Sequence, residues 1–266
     1  STPRSSSAAS DVYKRQQWWR LLMANFAYMS GTGNDFIVGK YEGEVSEIQI
    51  IALVSDAEYE VDGIIFVEPL DNNSVKMHYY NNDGSDAELC VNGVRCAAKY
   101  ALDNNYVDVV RFIVKAPVGD LEVYVDDNIV EVSTPIPTFE EEKINVNTYE
   151  GVKSSVGNPH FMIEVDDVDE LDLEKLNTEV VNEKLFPDGV NVEIYQIVSR
   201  NYIKARVFER GVGETDACGS GALCIFNYLN KTDQIDNNSY VMYPGGDLNL
   251  RFENNNLYIL GEVRYL

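Results

Sequence analysis

The chain has 266 residues and a formal net charge of −23, from 21 Lys+Arg and 44 Asp+Glu. Its hydrophobic fraction of 45% is that of a globular chain, and the length suits one large or two small domains. The acidity argues against nucleic acid and anionic membrane surfaces as partners, because both attract clustered Lys and Arg. The sequence has no apolar run of about 18 residues, so we expect no transmembrane helix.

The first 22 residues differ in composition from the rest. They are Ser-rich and basic with one acid, Asp11, whereas the chain after Met23 is acidic. This composition is typical of an organelle transit peptide or of a non-native leader. We favour a non-native or removable leader over residues 1–22 and a cytoplasmic protein rather than one imported into an organelle.

Hydrophobic periodicity predicts short strands with few helices. One helix is expected at 47–55. Strands are predicted at 63–68, 75–80, 110–115, 120–125, 129–133, 156–164, 191–198, 202–209, 239–243, 247–252 and 257–261. The segment 31–36, GTGNDF, lacks the third glycine and the βαβ unit of a dinucleotide motif, so we interpret it as a polar glycine loop presenting Asn34. Two prolines, Pro135 and Pro137, indicate a boundary near residue 134.

An internal repeat is the most informative feature. Residues 90–100 and 218–228 both read C-x-[NS]-G-x-x-C-x-x-x-Y. Each copy follows an acidic, glycine-containing turn and precedes an apolar, helix-like segment. The repeat predicts two similar domains, each starting a helix at or beside a cysteine, Cys90 or Cys218.

A cysteine at a helix N-terminus faces unpaired backbone N–H groups and the positive end of the helix dipole. Both should lower the thiol pKa from about 8.5 and favour the thiolate. The same N–H groups can bind a carboxylate. Two such cysteines across a cleft would form an acid/base pair able to invert a stereocentre.

Other readings apply to the same residues. Cys96 and Cys224 are expected to be buried small hydrophobes. Their spacing from the first cysteine of each repeat is poor for zinc. A Cys90–Cys218 disulfide is geometrically allowed but ranks below catalysis. A lone histidine such as His160 is more often structural, and neighbouring Glu209 and Arg210 are by default a surface ion pair.

Six segments taken together closely resemble the diaminopimelate epimerase family. They are GTGNDF (31–36), NNDGSDAELCVNGVRC (81–96), VGNPHF (156–161), DGVNVE (188–193), RVFERGVGETDACGSGA (206–222) and YPGGDL (243–248). The resemblance spans 23–266. It implies an α/β fold of the α+β type, with two pseudo-symmetric domains, each a mixed curled sheet around a central helix. The implied domains are 23–133, joined by a returning strand at 257–266, and 134–256.

The resemblance also implies an activity and a set of residues. The activity is cofactor-independent and metal-independent epimerisation of LL- to meso-diaminopimelate, for lysine and peptidoglycan precursor synthesis, by a homodimer. Cys90 and Cys218 would be the catalytic thiols, with His160 beside the first and Glu209 beside the second. The implied substrate-binding residues are Asn34, Asn81, Asn92, Gly93, Asn158, Asn191, Arg210, Gly219 and Ser220.

Departures from the family pattern leave alternatives open. Val91 replaces a glycine after the first thiol and would be strained if that position required positive φ. The family's GIGADG segment ends here as Glu60-Val61-Asp62-Gly63, and Ser220 stands where Thr is common. The alternatives are a two-thiol racemase for proline, hydroxyproline or histidine, a non-catalytic ligand-binding relative, and a redox protein using a Cys90–Cys218 disulfide.

Overall fold

The structure is a computed structural model that describes residues 26–85, 90–181 and 184–266. The leader predicted at 1–22 lies outside the described residues. The described α-helices are α1 (Glu47–Ser55), α2 (Val91–Asp103), α3 (Leu173–Val180) and α4 (Gly219–Lys231). None of the helices in this part of the chain is long and apolar enough to cross a membrane.

Seventeen described strands form one continuous, highly branched sheet. In the N-terminal half they are β1 (Phe26–Gly31), β2 (Asn34–Lys40), β3 (Gly63–Asp71), β4 (Ser74–Asn81), β5 (Arg111–Ala116), β6 (Gly119–Asp126) and β7 (Ile129–Thr134). They continue with β8 (Thr138–Phe139), β9 (Ile144–Val146), β10 (Tyr149–Ser155), β11 (Pro159–Glu164), β12 (Asn191–Ser199) and β13 (Tyr202–Glu209). The last are β14 (Gly213–Thr215), β15 (Asn238–Tyr243), β16 (Gly246–Glu253) and β17 (Asn256–Tyr265).

The two halves repeat one order of strand pairing. In the first, β1–β2 is antiparallel, β2–β3 parallel, β3–β4 antiparallel and β4–β5 parallel, before the antiparallel run β5–β6–β7. The second half uses the same order through β10, β11, β12, β13, β15, β16 and β17. The chain is therefore a mixed α/β protein with two repeated halves, as the sequence repeat predicts.

A central helix fills each half. Both α2 and α4 are buried along most of their length. Small residues such as Ala97 and Ala98 let the strands approach the helix closely. Cys96 and Cys224 are fully buried in these helices, which confirms the prediction that they act as small core hydrophobes.

The last strand joins the halves. β17 pairs with β16 of its own half and also with β7 and β1 of the N-terminal half. Ile259, buried on β17, lies opposite Val132 on β7. The C-terminus thus returns to the N-terminal half and helps to fix the relative placement of the two central helices.

Two predicted segments differ from the structure. The interpretation of 31–36 as a loop is wrong, because the chain turns at Thr32 and Gly33 alone, both at positive φ, and Asn34 already begins β2. The strand predicted at 156–164 is shorter, since Gly157 has a φ of 120° and separates β10 from β11.

Candidate active site

A cleft of about 490 Å³ lies where α2 and α4 begin. Both thiols of the repeat line it, Cys90 from the N-terminal half and Cys218 from the C-terminal half. Each predicted site residue except His160 and Gly93 also lines this cleft. The fold therefore gathers residues that are more than a hundred positions apart in the sequence.

Each cleft cysteine is the N-cap of its helix. The Cys90 thiol accepts a hydrogen bond from the Gly93 N–H at 3.4 Å, and the Cys218 thiol accepts one from the Gly221 N–H at 3.4 Å. Both cysteines are free. The helix N-termini, with their remaining N–H groups, thus face the same cavity as the two sulfurs.

The first turns of the two helices touch each other. A Cβ added to Gly219 would lie 3.2 Å from Val91 Cβ and 3.1 Å from Asn92 Oδ1. Val91 is buried as the first residue of α2 and is not at positive φ. The backbone strain that positive φ would cause at Val91 is therefore absent. The Val91 side chain fits because residue 219 is a glycine and leaves space for it.

Burial controls the protonation of the free thiols. Desolvation raises the pKa of Cys90 to about 12, with Glu209 and Asp62 acting in the same direction against the Gly93 N–H. Desolvation also raises the pKa of Cys218 well above its usual value, again with Glu209 adding to the effect. The expectation that the helix N-terminus lowers these pKa values is wrong, because desolvation outweighs the hydrogen bonds from the Gly93 and Gly221 N–H groups.

A carboxylate lies beside the second thiol. The Cys218 thiol donates to Glu209 Oε2 at 3.5 Å, and the Thr215 hydroxyl donates to Glu209 Oε1 at 2.5 Å. No ion pair joins Glu209 to Arg210 among the described residues, so the interpretation of these two residues as a surface ion pair is wrong. The Thr215 contact holds the carboxylate against the sulfur.

Ser220 and Asn158 complete this side of the cleft. The Ser220 hydroxyl lies 3.3 Å from the Cys218 sulfur and accepts a hydrogen bond from Asn158 Nδ2 at 3.1 Å. Asn158 Oδ1 is buried and has no partner among the described residues. This oxygen is thus available to a donor on a bound molecule.

His160 is buried beneath the site rather than lining it. Its Nδ1 lies 2.6 Å from Glu193 Oε1, and its Nε2 has no partner among the described residues. A Cβ on Gly221 would lie 2.6 Å from Glu193 Oε1, so this pair packs under the first turn of α4. None of the hydrogen bonds in the described ranges joins His160 to Cys90, and its placement beside the first thiol stays a prediction.

Gly93 also differs from its predicted role. Its N–H is taken by Cys90, and a Cβ there would lie 3.0 Å from Ile65 Cδ1 and 3.2 Å from Met77 Cε. Because α2 packs on β3 and β4 at this point, Gly93 positions the thiol and the helix instead of lining the cleft.

The side of the cleft near Cys90 carries residues that the sequence did not single out. Tyr79 lines the cleft with Cys90, and burial raises the pKa of the tyrosine hydroxyl, with the nearby Cys90 thiol adding to the shift. Asp62 accepts hydrogen bonds from the Asp35 N–H at 2.8 Å and from Asn34 Nδ2 at 3.4 Å. Asp62 lies in residues 60–63, where the sequence departs from the family pattern, so its role was not predicted. No local sequence pattern marks Tyr79 as a site residue.

Polar side chains also line the outer part of the cleft. Asn191 Oδ1 accepts a hydrogen bond from the Arg210 N–H at 2.8 Å, and Arg210 Nη1 donates to the Asp188 carbonyl at 2.8 Å. Asn81 Nδ2 donates to the Ser85 hydroxyl at 2.9 Å. The Arg210 guanidinium is thus held at the mouth of a cavity lined by two thiols and by the carboxylates of Asp62, Asp83 and Glu209.

The fold is shared with solved structures of low sequence identity. A PhzF-family phenazine biosynthesis protein from Bacillus anthracis matches with a TM-score of 0.69 and 14% identity, over 91% of this chain and 96% of that one. A probable proline racemase from Agrobacterium radiobacter K84 matches with a TM-score of 0.66 and 12% identity, over 91% of each chain. The chain is therefore an α/β protein of this two-half fold, with a pair of free thiols between the halves.

Sequence comparison narrows this class to one family. The family model described as diaminopimelate epimerase matches residues 26–139 and 152–266. The diaminopimelate epimerase of Brachyspira hyodysenteriae is 36% identical, over 91% of this chain and 96% of its own length. That of Thermotoga maritima is also 36% identical, over 88% and 97%. The chain belongs to the diaminopimelate epimerase family.

Proposed function

We propose that this protein is an isomerase that converts LL-diaminopimelate to meso-diaminopimelate. The observation that carries the proposal is the pair of N-capping thiols, Cys90 and Cys218, that face one cleft from two repeated halves. Relatives named diaminopimelate epimerase, at about one-third identity over most of both chains, support the substrate.

Inversion of a stereocentre needs a base on one face and an acid on the other. One sulfur, as thiolate, takes the α-proton of the substrate and becomes a thiol. The opposite thiol gives its proton to the other face of the α-carbon and becomes a thiolate. Protons and charge balance over the step, and the two sulfurs have exchanged roles at its end.

The helix N-termini stabilise the charge that develops during this step. When the α-proton leaves, negative charge spreads onto the adjacent carboxylate. The N–H groups of Asn92, Gly219 and Ser220 lie in the first turns of the two helices and are not used by the thiols. They are preorganised donors for that carboxylate.

Formation of the thiolate requires a positive charge in the cleft. Burial keeps both thiols protonated in the free protein, since the pKa of each is raised. The ammonium group on the reacting carbon supplies the compensating charge, so one thiol releases its proton to solvent and becomes the thiolate when substrate binds. The thiolate that removes the α-proton is therefore present only when substrate is bound.

Residues at the mouth of the cleft recognise the distant end of the substrate. Arg210 can pair with a second carboxylate through its planar fork. Asn81, Asn158 and Asn191 supply amide groups for a second ammonium and carboxylate. Such a set favours a substrate with two zwitterionic ends over proline, hydroxyproline or histidine.

The test is a substrate panel with chiral analysis of the products. We expect conversion of LL- to meso-diaminopimelate and little turnover of proline, hydroxyproline or histidine. Turnover of one of those amino acids alone would assign a different racemase. Binding of diaminopimelate without turnover would assign a non-catalytic relative.

Sedimentation velocity tests the homodimer that the family resemblance implies.

A further inference from the structure

Two carboxylates face the same space from opposite halves of the molecule. Asp62 lies just before β3 in the N-terminal half, and Glu209 ends β13 in the C-terminal half; both line the cleft. Burial raises the pKa of Asp62, and the nearby Glu209 carboxylate adds to this shift. Two negative groups that repel each other across a cleft favour a cation between them.

Asp62 also determines how two cleft amides are oriented. A carboxylate only accepts hydrogen bonds, so the amide nitrogen of Asn34 must point toward Asp62. The oxygen of Asn34 then accepts from Asn92 Nδ2, at 2.5 Å. Asp62 thus fixes the direction of a hydrogen-bond chain that ends on the first turn of α2.

The end of that chain is an unsatisfied acceptor. Asn92 is 1% exposed, and its Oδ1 has no partner among the described residues. This oxygen lies beside Gly219, between the two helix N-termini. A buried acceptor without a partner is costly, which indicates that a donor on a bound molecule completes it.

The N-terminal wall of the cleft therefore offers acceptors, among them the Asp62 carboxylate and the Asn92 amide oxygen, and the cleft also contains Glu209. Asp83 lines the cleft too, but its carboxylate accepts hydrogen bonds from the Ser85 N–H and hydroxyl. An ammonium group has three donors and a positive charge and matches such a set. We infer that Asp62 is a specificity-determining residue that recognises an ammonium group of the substrate and orients Asn34 and Asn92 to receive it. The inference rests on the proposed function and adds a residue whose role the sequence left uncertain.

The inference predicts a dependence on the ligand's ammonium groups. Asp62→Asn should raise KM for LL-diaminopimelate by on the order of tenfold, as expected when a charge-assisted hydrogen bond is lost. The same variant should bind pimelate, a dicarboxylate with no ammonium group, as tightly as the wild type or more tightly. The affinities for diaminopimelate and pimelate are both measured by calorimetry, and that for pimelate also by its inhibition of turnover.

Glu60→Gln is the matched control. Glu60 is exposed, two residues before Asp62, and outside the cleft. Its substitution removes the same charge from the same segment and should leave both ligands unaffected. If Asp62→Asn folds poorly, Asp62→Ser keeps an acceptor for the Asp35 N–H and allows the same comparison.

An equal loss of affinity for diaminopimelate and pimelate in the Asp62 variants would overturn the inference, since it would mean that Asp62 acts only through packing. Unchanged affinity for both would overturn it as well. Failure of the wild-type protein to turn over diaminopimelate would instead overturn the proposed function, because the calorimetric comparison does not need turnover.

Discussion

Val91 Cβ lies 3.2 Å from the position that a Cβ on Gly219 would occupy. Val91 directly follows Cys90 in the sequence, and Gly219 directly follows Cys218. The space between the two helix N-termini holds the valine side chain but has no room for a second side chain at position 219. Gly219→Ala should therefore push the helices apart and lower kcat/KM by on the order of tenfold or more.

The double variant Val91→Gly/Gly219→Ala tests the cause. Removing the valine side chain relieves one of the two close contacts, so the double variant should recover part of the lost activity. Steady-state kinetics of both single variants and the double variant form a cycle. Strict additivity of the two effects would contradict a direct contact between positions 91 and 219.

Cys90→Ala and Cys218→Ala should each abolish epimerisation while the protein stays folded. Inversion needs a group on each face of the carbon, so one remaining thiol does not suffice. Cys96→Ala is the matched control, because Cys96 is buried in the helix that Cys90 caps but does not line the cleft. Near-normal turnover in either cleft variant, with an unchanged circular dichroism spectrum, would exclude the two-thiol reaction.

Arg210→Lys should raise KM for diaminopimelate far more than it lowers kcat. Lysine carries the charge but cannot present the planar fork that pairs with both oxygens of a carboxylate. Arg200→Lys serves as the control, since Arg200 is exposed and bonded to Asp233 and Asp236 outside the cleft. Equal kinetics of the two variants would remove Arg210 from substrate recognition.

Stability should fall as the pH rises above about 9. The pKa of each of the four thiols is raised by burial in the folded state, so the folded protein binds more protons than the unfolded chain in this range. The free energy of unfolding then decreases from the unfolded thiol pKa up toward the folded values. Urea unfolding at pH 7.5 and 10 measures this, and a free energy that is constant or rising with pH would contradict the thiol burial.

The sequence contains the local signals of the fold but not its long-range contacts. Helix α1 is predicted with its observed bounds from its helical pattern, and the structure shows that Ser46 and Gln49 form a capping box at its start. Helix α3 was not predicted, because its segment is largely polar and buries only one narrow face. Strand β2 was missed because its first residues, Asn34 and Asp35, resemble a loop.

The site residues also divide into those with a local sequence signal and those that depend on long-range contacts. The repeat located both thiols, since each is tied to a local helix start. Asp62 and Glu193 were not singled out because their partners lie 28 and 33 residues away, at Asn34 and His160. The direction of the thiol pKa shift was wrong because a helix N-cap is a local feature, whereas desolvation depends on the whole surrounding fold.

Solvent-hydrogen labelling tests the two-thiol reaction most directly. In D2O the accepting thiolate retains the substrate's own hydrogen, while the opposite thiol, already exchanged with solvent, delivers deuterium. Early in the conversion of LL-diaminopimelate, mass spectrometry should therefore find deuterium at the inverted centre of the meso product and almost none in the remaining substrate. Early labelling of substrate and product at equal rates, or product that keeps the original hydrogen, would contradict proton transfer by Cys90 and Cys218 on opposite faces.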